Sequence, residues 1–117
     1  MTIAGEPLTS TARHDGVDVV TLAGDLDLFS AEVLRRELEE AVPGGRHVVV
    51  LDLADVTFLD STVLGLLRLA ARRMEAHGGR LVLASAGEAV ERVLQVSGLS
   101  TYLPVCETVE EAVAAGG

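Results

Sequence analysis

Residues 48–67 constrain the fold of this chain more than any other segment. The apolar run over residues 47–53 has valine at three successive positions and no alternation with polar residues. Such a run is typical of a β-strand that is covered on both faces. Apolar residues at helical spacing then predict a long helix from Ser61 to about Ala76. A buried strand that leads into a helix indicates an α/β domain.

The rest of the chain repeats this alternation of strands and helices. Two strands, at residues 8–14 and 17–23, flank the turn signal Asp15-Gly16 and predict a hairpin. The predicted fold is α/β, with a mixed, mostly parallel sheet of about five strands, the N-terminal hairpin and about four helices packed against it. The other predicted elements are a helix at 31–42 with Ser30 as its N-cap, a strand at 80–84, a helix at 88–96, a strand at 102–106 and a helix at 108–115.

The length and composition fit one domain with an aliphatic core. A chain of 117 residues suits a single domain. We expect its core at about residues 8–115, with flexible ends at 1–7 and 116–117. Nearly half of the residues are apolar, but the only aromatic residues are Phe29, Phe58 and Tyr102. The core is therefore expected to consist of valine, leucine and alanine.

The charge of the chain disfavours several kinds of partner. The formal net charge is -9, and all nine basic residues are arginine. Such a surface repels nucleic-acid phosphates and anionic membranes, so we predict that the protein binds neither. No N-terminal signal peptide and no apolar run of about 20 residues is evident. The single cysteine, Cys106, fits a reducing compartment, and we expect a soluble, cytoplasmic protein.

The motifs of several enzyme classes are absent from the sequence. Without lysine the chain cannot form a Walker P-loop, and it lacks a G-x-G-x-x-G motif. The histidines His14, His47 and His77 have no partners at metal-ligand spacing. The hydroxyl of Ser61 is not surrounded by a G-x-S-x-G motif. We therefore predict a protein that is not an enzyme and has no cofactor, metal or small-molecule substrate.

A phosphoacceptor aspartate receiver is an alternative that the sequence excludes. Three carboxylates, Asp52, Asp55 and Asp60, lie near the end of the buried strand, where they could bind Mg²⁺. Receiver chemistry, however, relies on a lysine that neutralises the phosphoryl group. The chain has no lysine.

The triplet Asp60-Ser61-Thr62 is the candidate functional site. It delivers a hydroxyl beside a carboxylate at the start of the long helix, close to backbone N–H groups that lack acceptors within the helix. A serine in this position is accessible, and a phosphate there would switch a surface without disrupting a core. An ordinary N-cap is the alternative interpretation, and the triplet alone favours it.

The long helix has an inner and an outer face. Each residue advances about 100° around the helix axis, which places the two sets on opposite sides. The predicted core stripe is Val63, Leu67, Ala70 and Met74, flanked by Leu66 and Ala71. The predicted outer positions are Gly65, Arg68, Leu69 and Arg72, with Leu64 at the border. An exposed leucine beside a glycine and two arginines is a candidate docking face.

The sequence resembles the STAS domain, and more narrowly the single-domain anti-anti-sigma factors of bacteria. The resemblance is carried by Gly24-Asp25-Leu26-Asp27, by Val50-Leu51-Asp52-Leu53 and by the segment 56–62 that ends in Asp60-Ser61-Thr62. It continues through residues 97–99, 103–105 and 108–112, and so covers nearly the whole chain from about Leu8.

The resemblance implies a switch by phosphorylation. Ser61, with Thr62 as the alternative, would be phosphorylated by a partner that is both an anti-sigma factor and a serine kinase. The unphosphorylated protein would bind this partner and free a sigma factor, and a phosphatase would be a further partner. The predicted partner-binding surface joins the residues that the resemblance implies to the outer face of the long helix. Its residues are Asp25, Asp27, Asp60, Ser61, Thr62, Leu64, Gly65, Arg68, Leu69 and Arg72.

One residue departs from the family pattern, which usually has glycine where this chain has Val63. We expect Val63 to face the core, so that the fold tolerates it. The departure favours an alternative function as a STAS subunit of a transport complex or signalling scaffold, in which the serine is never phosphorylated.

Overall fold

The computed structural model describes residues 8–14, 16–41 and 48–116. The strands within this part of the chain are β1 (Leu8–His14), β2 (Val17–Leu26), β3 (Val48–Leu59), β4 (Arg80–Ala84) and β5 (Val105–Cys106). The helices are α1 (Leu28–Ala41), α2 (Ser61–Ala76), α3 (Glu88–Val96) and α4 (Val109–Gly116), with a short 3-10 helix at Leu99–Thr101.

The described strands form one mixed sheet in the order β1-β2-β3-β4-β5. The hairpin pair β1–β2 is antiparallel, and the remaining neighbours are parallel. This architecture confirms the predicted α/β fold with its N-terminal hairpin and four helices. The bounds of α2, β4 and α3 are those predicted from the sequence. Predictions for residues 1–7, Asp15, Val42, His47 and residue 117 lie outside the described residues, and Gly116 ends α4.

Two strands continue beyond their predicted ends. β2 was expected to end at residue 23 and β3 at residue 53, but they pair with each other as far as Leu26 and Leu59. The register between them shifts twice, and each shift adds a residue on the β3 side. Such bulges interrupt the apolar pattern of a strand, and Thr57 and Phe58 are consequently both exposed. The sequence therefore suggests a turn where the strand continues.

The first helix begins earlier than predicted, and its N-cap is Asp27 instead of Ser30. The carboxylate Oδ1 of Asp27 accepts hydrogen bonds from the backbone N–H groups of Phe29, at 3.0 Å, and Ser30, at 3.1 Å. Ser30 is buried, and its hydroxyl donates to the carbonyl oxygen of Asp25 at 3.3 Å and to Oδ1 of Asp27 at 3.2 Å. The prediction was wrong because aspartate and serine are about equally good N-caps.

The last strand is shorter than predicted, and the last helix is shifted by one residue. The last strand contains only Val105 and Cys106, because the chain from Leu99 to Thr101 forms the 3-10 helix and Tyr102 follows it. The last helix begins one residue late, since Thr108 lies before it and accepts the backbone N–H of Glu111 on its hydroxyl oxygen at 3.0 Å.

Aliphatic side chains pack on both faces of the sheet. The larger cluster lies between the sheet and the helices α1, α2 and α3, and the smaller one lies under α4. The buried residues of α2 are Val63, Leu67, Ala70, Ala71 and Met74, which confirms the predicted core stripe. The strands β2 and β3 are parallel neighbours, and each is followed by a helix. The helices α1 and α2 therefore both begin at the carboxyl-terminal edge of the sheet.

Candidate functional site

The candidate site lies at this edge, where β2 leads into α1 and β3 leads into α2. Asp60 is the single residue between β3 and α2. Its backbone N–H donates to the carbonyl oxygen of Leu26, the last residue of β2, at 3.1 Å. This hydrogen bond ties the start of α2 to the end of the neighbouring strand. The starts of the two helices are thereby held at one place on the surface.

Asp60 is the N-cap of α2, and this sets the position of Ser61. The carboxylate Oδ1 of Asp60 accepts the backbone N–H of Val63 at 3.1 Å, and its carbonyl oxygen accepts that of Leu64 at 3.1 Å. Ser61 and Thr62 therefore occupy the first and second positions of the helix, and both are exposed. Val63 is fully buried, so it faces the core as predicted. An accessible hydroxyl thus stands directly after a fixed carboxylate.

Two further carboxylates lie at the same edge. Asp25 is the penultimate residue of β2, and it accepts a hydrogen bond from the hydroxyl of Thr57 on β3. Asp27 is exposed, and the backbone N–H of Ser30, with the Ser30 hydroxyl and the N–H of Phe29, holds the pKa of its carboxyl below the ordinary value. Asp27 therefore carries a negative charge at neutral pH, which the N-terminus of α1 stabilises.

The outer face of α2 continues away from Ser61. At about 100° per residue, Gly65, Arg68 and Arg72 fall on the same stripe of the helix as Ser61. All of them are exposed. The guanidinium carbon of Arg68 lies 4.4 Å from the ring centroid of Tyr102, a cation–π contact that orients the arginine. The stripe therefore combines a small residue with two cations.

The predicted site residues do not all share one surface. Asp27 and Asp60 line a common groove at the sheet edge, whereas Leu64, Gly65 and Arg68 line a small depression beside Tyr102. Leu69, 53% exposed, instead lines a cavity of about 310 Å³ between α1 and α2. The other residues of that cavity include Leu38, Leu66, Arg35 and Arg73. The predicted docking face on α2 thus extends onto two neighbouring depressions.

Two exposed apolar residues of the site were not predicted. Leu28 and Phe29 are 69% and 79% exposed, and both line the groove that contains Asp27 and Asp60. With Ser30 taken as the N-cap, both residues were placed before the helix. Once the helix begins after Asp27, Phe29 lies about 140° and 180° around the axis from the buried Leu34 and Leu38. The helical wheel would then have placed Phe29 in solvent.

Two further features of the described residues concern metal ligands and the thiol of Cys106. Among residues 8–14, 16–41 and 48–116, there is no group of three or more histidine, cysteine or acidic side chains that could hold a metal ion. Burial, with the negative charge of Glu111, raises the pKa of the Cys106 thiol, although Arg80 partly opposes this. A protonated thiol is a poor nucleophile. The helices of the described residues are also too short or too polar to cross a membrane.

Comparison with known proteins identifies the family. Residues 9–112 match the STAS domain family. The chain belongs to this family.

Several relatives are named as anti-sigma factor antagonists. The Anti-sigma F factor antagonist of Paenibacillus polymyxa is 30% identical over 94 residues, which cover 80% of each chain. The solved structure of the anti-sigma factor antagonist SpoIIAA in its unphosphorylated form superimposes with a TM-score of 0.75 at 28% identity, covering 89% of this chain and 91% of that chain. The phosphorylated form of SpoIIAA, described as a Bacillus cell fate determinant, gives a TM-score of 0.68 at 28% identity, covering 92% and 96%.

Proposed function

We propose that this protein is an anti-sigma factor antagonist that is switched by phosphorylation of Ser61. In the unphosphorylated state it binds an anti-sigma factor of the serine-kinase type, and phosphorylation releases it. The observation that carries this proposal is the position of Ser61, which is exposed at the first residue of α2 and directly follows the capping carboxylate of Asp60. The similarity to proteins named as anti-sigma factor antagonists supports the choice of partner.

A phosphate on Ser61 is compatible with the fold. The group adds about -1.5 to -2 charge at neutral pH. The N–H groups and dipole of the first turn of α2 favour an anion at this place. The Ser61 side chain is exposed, so the phosphate displaces none of the core residues below it. The existence of a phosphorylated form of SpoIIAA supports the same expectation.

The same phosphate would change what a partner meets. Asp60 adjoins Ser61, and Asp25 and Asp27 lie at the same edge of the sheet. A partner surface that complements a neutral hydroxyl among these carboxylates would face about two further negative charges after modification. A coupling of about 3 kcal/mol would lower the affinity roughly 10²-fold, which is sufficient for a switch.

At the surface around Ser61, Val63 makes no difference between this chain and a phosphorylated relative. Its side chain is fully buried, on the opposite side of the helix start from the solvent. The residue that departs from the family pattern is therefore part of the core. Because Val63 does not reach the surface beside Ser61, its burial supports the switch, and we keep the switch as the proposed function.

The proposal includes the remaining parts of a reversible switch. A phosphatase would restore the hydroxyl of Ser61, and the cytoplasm, where sigma factors act, is the proposed location. The partner-binding surface would consist of the carboxylate edge and the outer face of α2. Its proposed residues are Asp25, Asp27, Asp60, Ser61, Thr62, Leu64, Gly65, Arg68, Leu69 and Arg72.

Mapping of the phosphate tests the proposal. The wild-type protein and the variants Ser61→Ala and Thr62→Ala are incubated with ATP and each purified serine-kinase anti-sigma factor of the source organism, and peptides are analysed by mass spectrometry. We expect phosphate on Ser61 in the wild type and in Thr62→Ala, and none in Ser61→Ala. Modification of Thr62 alone would reassign the acceptor. Absence of phosphate with every kinase would contradict the switch.

A further inference from the structure

The start of α1 presents an apolar surface that the fold does not use. Leu28 and Phe29, 69% and 79% exposed, line one groove together with the half-buried Val33. A single exposed leucine is ordinary on a protein surface. Here a leucine and a phenylalanine are adjacent in sequence and share their groove with a third apolar residue. An exposed aromatic residue next to other apolar groups is typical of an interaction site.

The charged residues of this groove are mostly acidic. One cation, Arg36, also lines it. Glu32 forms an ion pair with Arg35, but the acidic residues still outnumber the two cations around the apolar residues, which therefore stand in a locally negative field. The four acidic residues of the groove are Asp27, Glu32, Glu37 and Asp60.

These charges decide between the occupants of the groove. A second copy of the chain would bring the same four carboxylates against each other, on a protein whose formal net charge is -9. Like charges that face each other across an interface oppose association. A partner with arginine or lysine around an apolar pocket would instead complement both the carboxylates and Phe29.

The groove is also continuous with the proposed switch. Asp60 lines the groove and immediately precedes Ser61. A protein that contacts Ser61 and Asp60 therefore has the start of α1 within the same footprint. Interfaces of standard size bury about 800 Å² on each partner, which extends well beyond a single helix start.

We propose that Phe29, with Leu28, is the apolar anchor of the partner-binding surface. It inserts into an apolar pocket of the anti-sigma factor that is flanked by arginine or lysine side chains. This inference rests on the proposed function for the identity of the partner. It adds a contact on α1 to the surface on α2, and it states the chemistry of the partner surface that recognises it.

Binding of the purified anti-sigma factor that phosphorylates the wild-type protein tests the anchor. Affinities are measured by isothermal titration calorimetry without ATP for the wild type, Phe29→Ala and Leu28→Ala. The control is Val96→Ala, because Val96 is an apolar residue of α3 that is 83% exposed and does not line the groove. We expect Phe29→Ala to weaken binding about 10- to 100-fold, as an aromatic anchor does. The control should bind within about twofold of the wild type.

The salt dependence of binding and the folding of the variant give two further readouts. The variant Glu37→Gln should bind more weakly at low salt and reduce the salt dependence of the affinity, because one complementary charge is lost. Unchanged folding of Phe29→Ala by circular dichroism is expected, since the side chain is exposed.

The outcomes separate this inference from the proposed function. Wild-type binding that Phe29→Ala leaves unchanged would overturn the anchor and leave the switch intact. Absence of binding by the wild type to every serine-kinase anti-sigma factor would overturn both. A wild-type dimer in sedimentation experiments that Phe29→Ala dissociates would assign the groove to a second copy and contradict a cationic partner.

Discussion

At the scale of single residues, two aspartates organise the site through the same interaction. Asp27 caps α1 and Asp60 caps α2, each by accepting backbone N–H groups of the first helical turn. A capping carboxylate satisfies donors that have no acceptor within the helix and interacts favourably with the helix dipole. The charges of the site are therefore also parts of the fold.

The role of Asp60 as a cap can be separated from its role as a charge. We expect Asp60→Ala to lower the free energy of unfolding by about 1 kcal/mol, because the hydrogen bond to the N–H of Val63 is lost. Asp60→Asn should retain most of the stability, since asparagine caps helices equally well. Urea denaturation measures both variants. The control is Asp55→Ala, an exposed carboxylate of β3. An effect of Asp60→Ala no larger than that of the control would contradict the cap.

The contribution of Asp27 depends on pH. Its hydrogen bonds with Ser30 and Phe29 hold the folded-state pKa of the carboxyl below the ordinary value of 3.8. A carboxyl group with a lowered pKa stabilises the fold above pH 3.8 and loses this contribution as the pH falls through its folded-state value. We expect Asp27→Ala to lower the melting temperature at pH 7 and the difference from wild type to shrink below pH 3.8. Thermal unfolding between pH 2 and 7 measures it, and a pH-independent difference would argue against this account.

At the scale of secondary structure, the second helix both supports the core and presents the surface. Its buried stripe packs on the sheet, while Gly65 lies on the exposed stripe with Ser61. A Cβ atom added at Gly65 would meet no atom within 4 Å beyond its chain neighbours and the backbone of its own helix. The free protein therefore has no packing reason for a glycine in this helix, where glycine is unfavourable.

Replacement of Gly65 by alanine should stabilise the fold and weaken the binding of the anti-sigma factor. We expect Gly65→Ala to raise the free energy of unfolding by about 0.5–1 kcal/mol, because alanine loses less backbone entropy and fits the open space. The same methyl group should weaken binding of the anti-sigma factor, since the proposed partner approaches the helix closely at this position. Denaturation and calorimetry give the two values. A stabilised variant with wild-type affinity would place Gly65 outside the interface.

The elements that sequence analysis predicts are those whose apolar pattern is regular. The second helix follows from the spacing of Val63, Leu67 and Met74, which one face of a helix requires. The ends of β2 and β3 do not follow, because bulges between them break the alternation. The start of α1 was misplaced since Asp27 and Ser30 compete as caps, and that error concealed Leu28 and Phe29. The prediction thus failed at the sheet edge, where local irregularities shape the surface.

At the scale of the whole molecule, one edge of the sheet carries two exposed surfaces. The carboxylates and Phe29 lie at the start of α1, and the exposed stripe of α2 carries Arg68 and Arg72. The two surfaces differ in the sign of their charges. This difference would fix the orientation of a partner that contacts both surfaces. In the reversed orientation, like charges of the partner and of this protein would face each other. Ser61 lies where the two surfaces meet.

The affinity of the phosphorylated protein for the anti-sigma factor tests the central claim most directly. Protein phosphorylated at Ser61 and unmodified protein are titrated with the same purified partner, and circular dichroism spectra are compared. We predict an affinity about 10²-fold lower for the phosphorylated protein, which corresponds to about 3 kcal/mol, with an unchanged spectrum. Equal affinities, or a loss of helical signal on phosphorylation, would contradict the account.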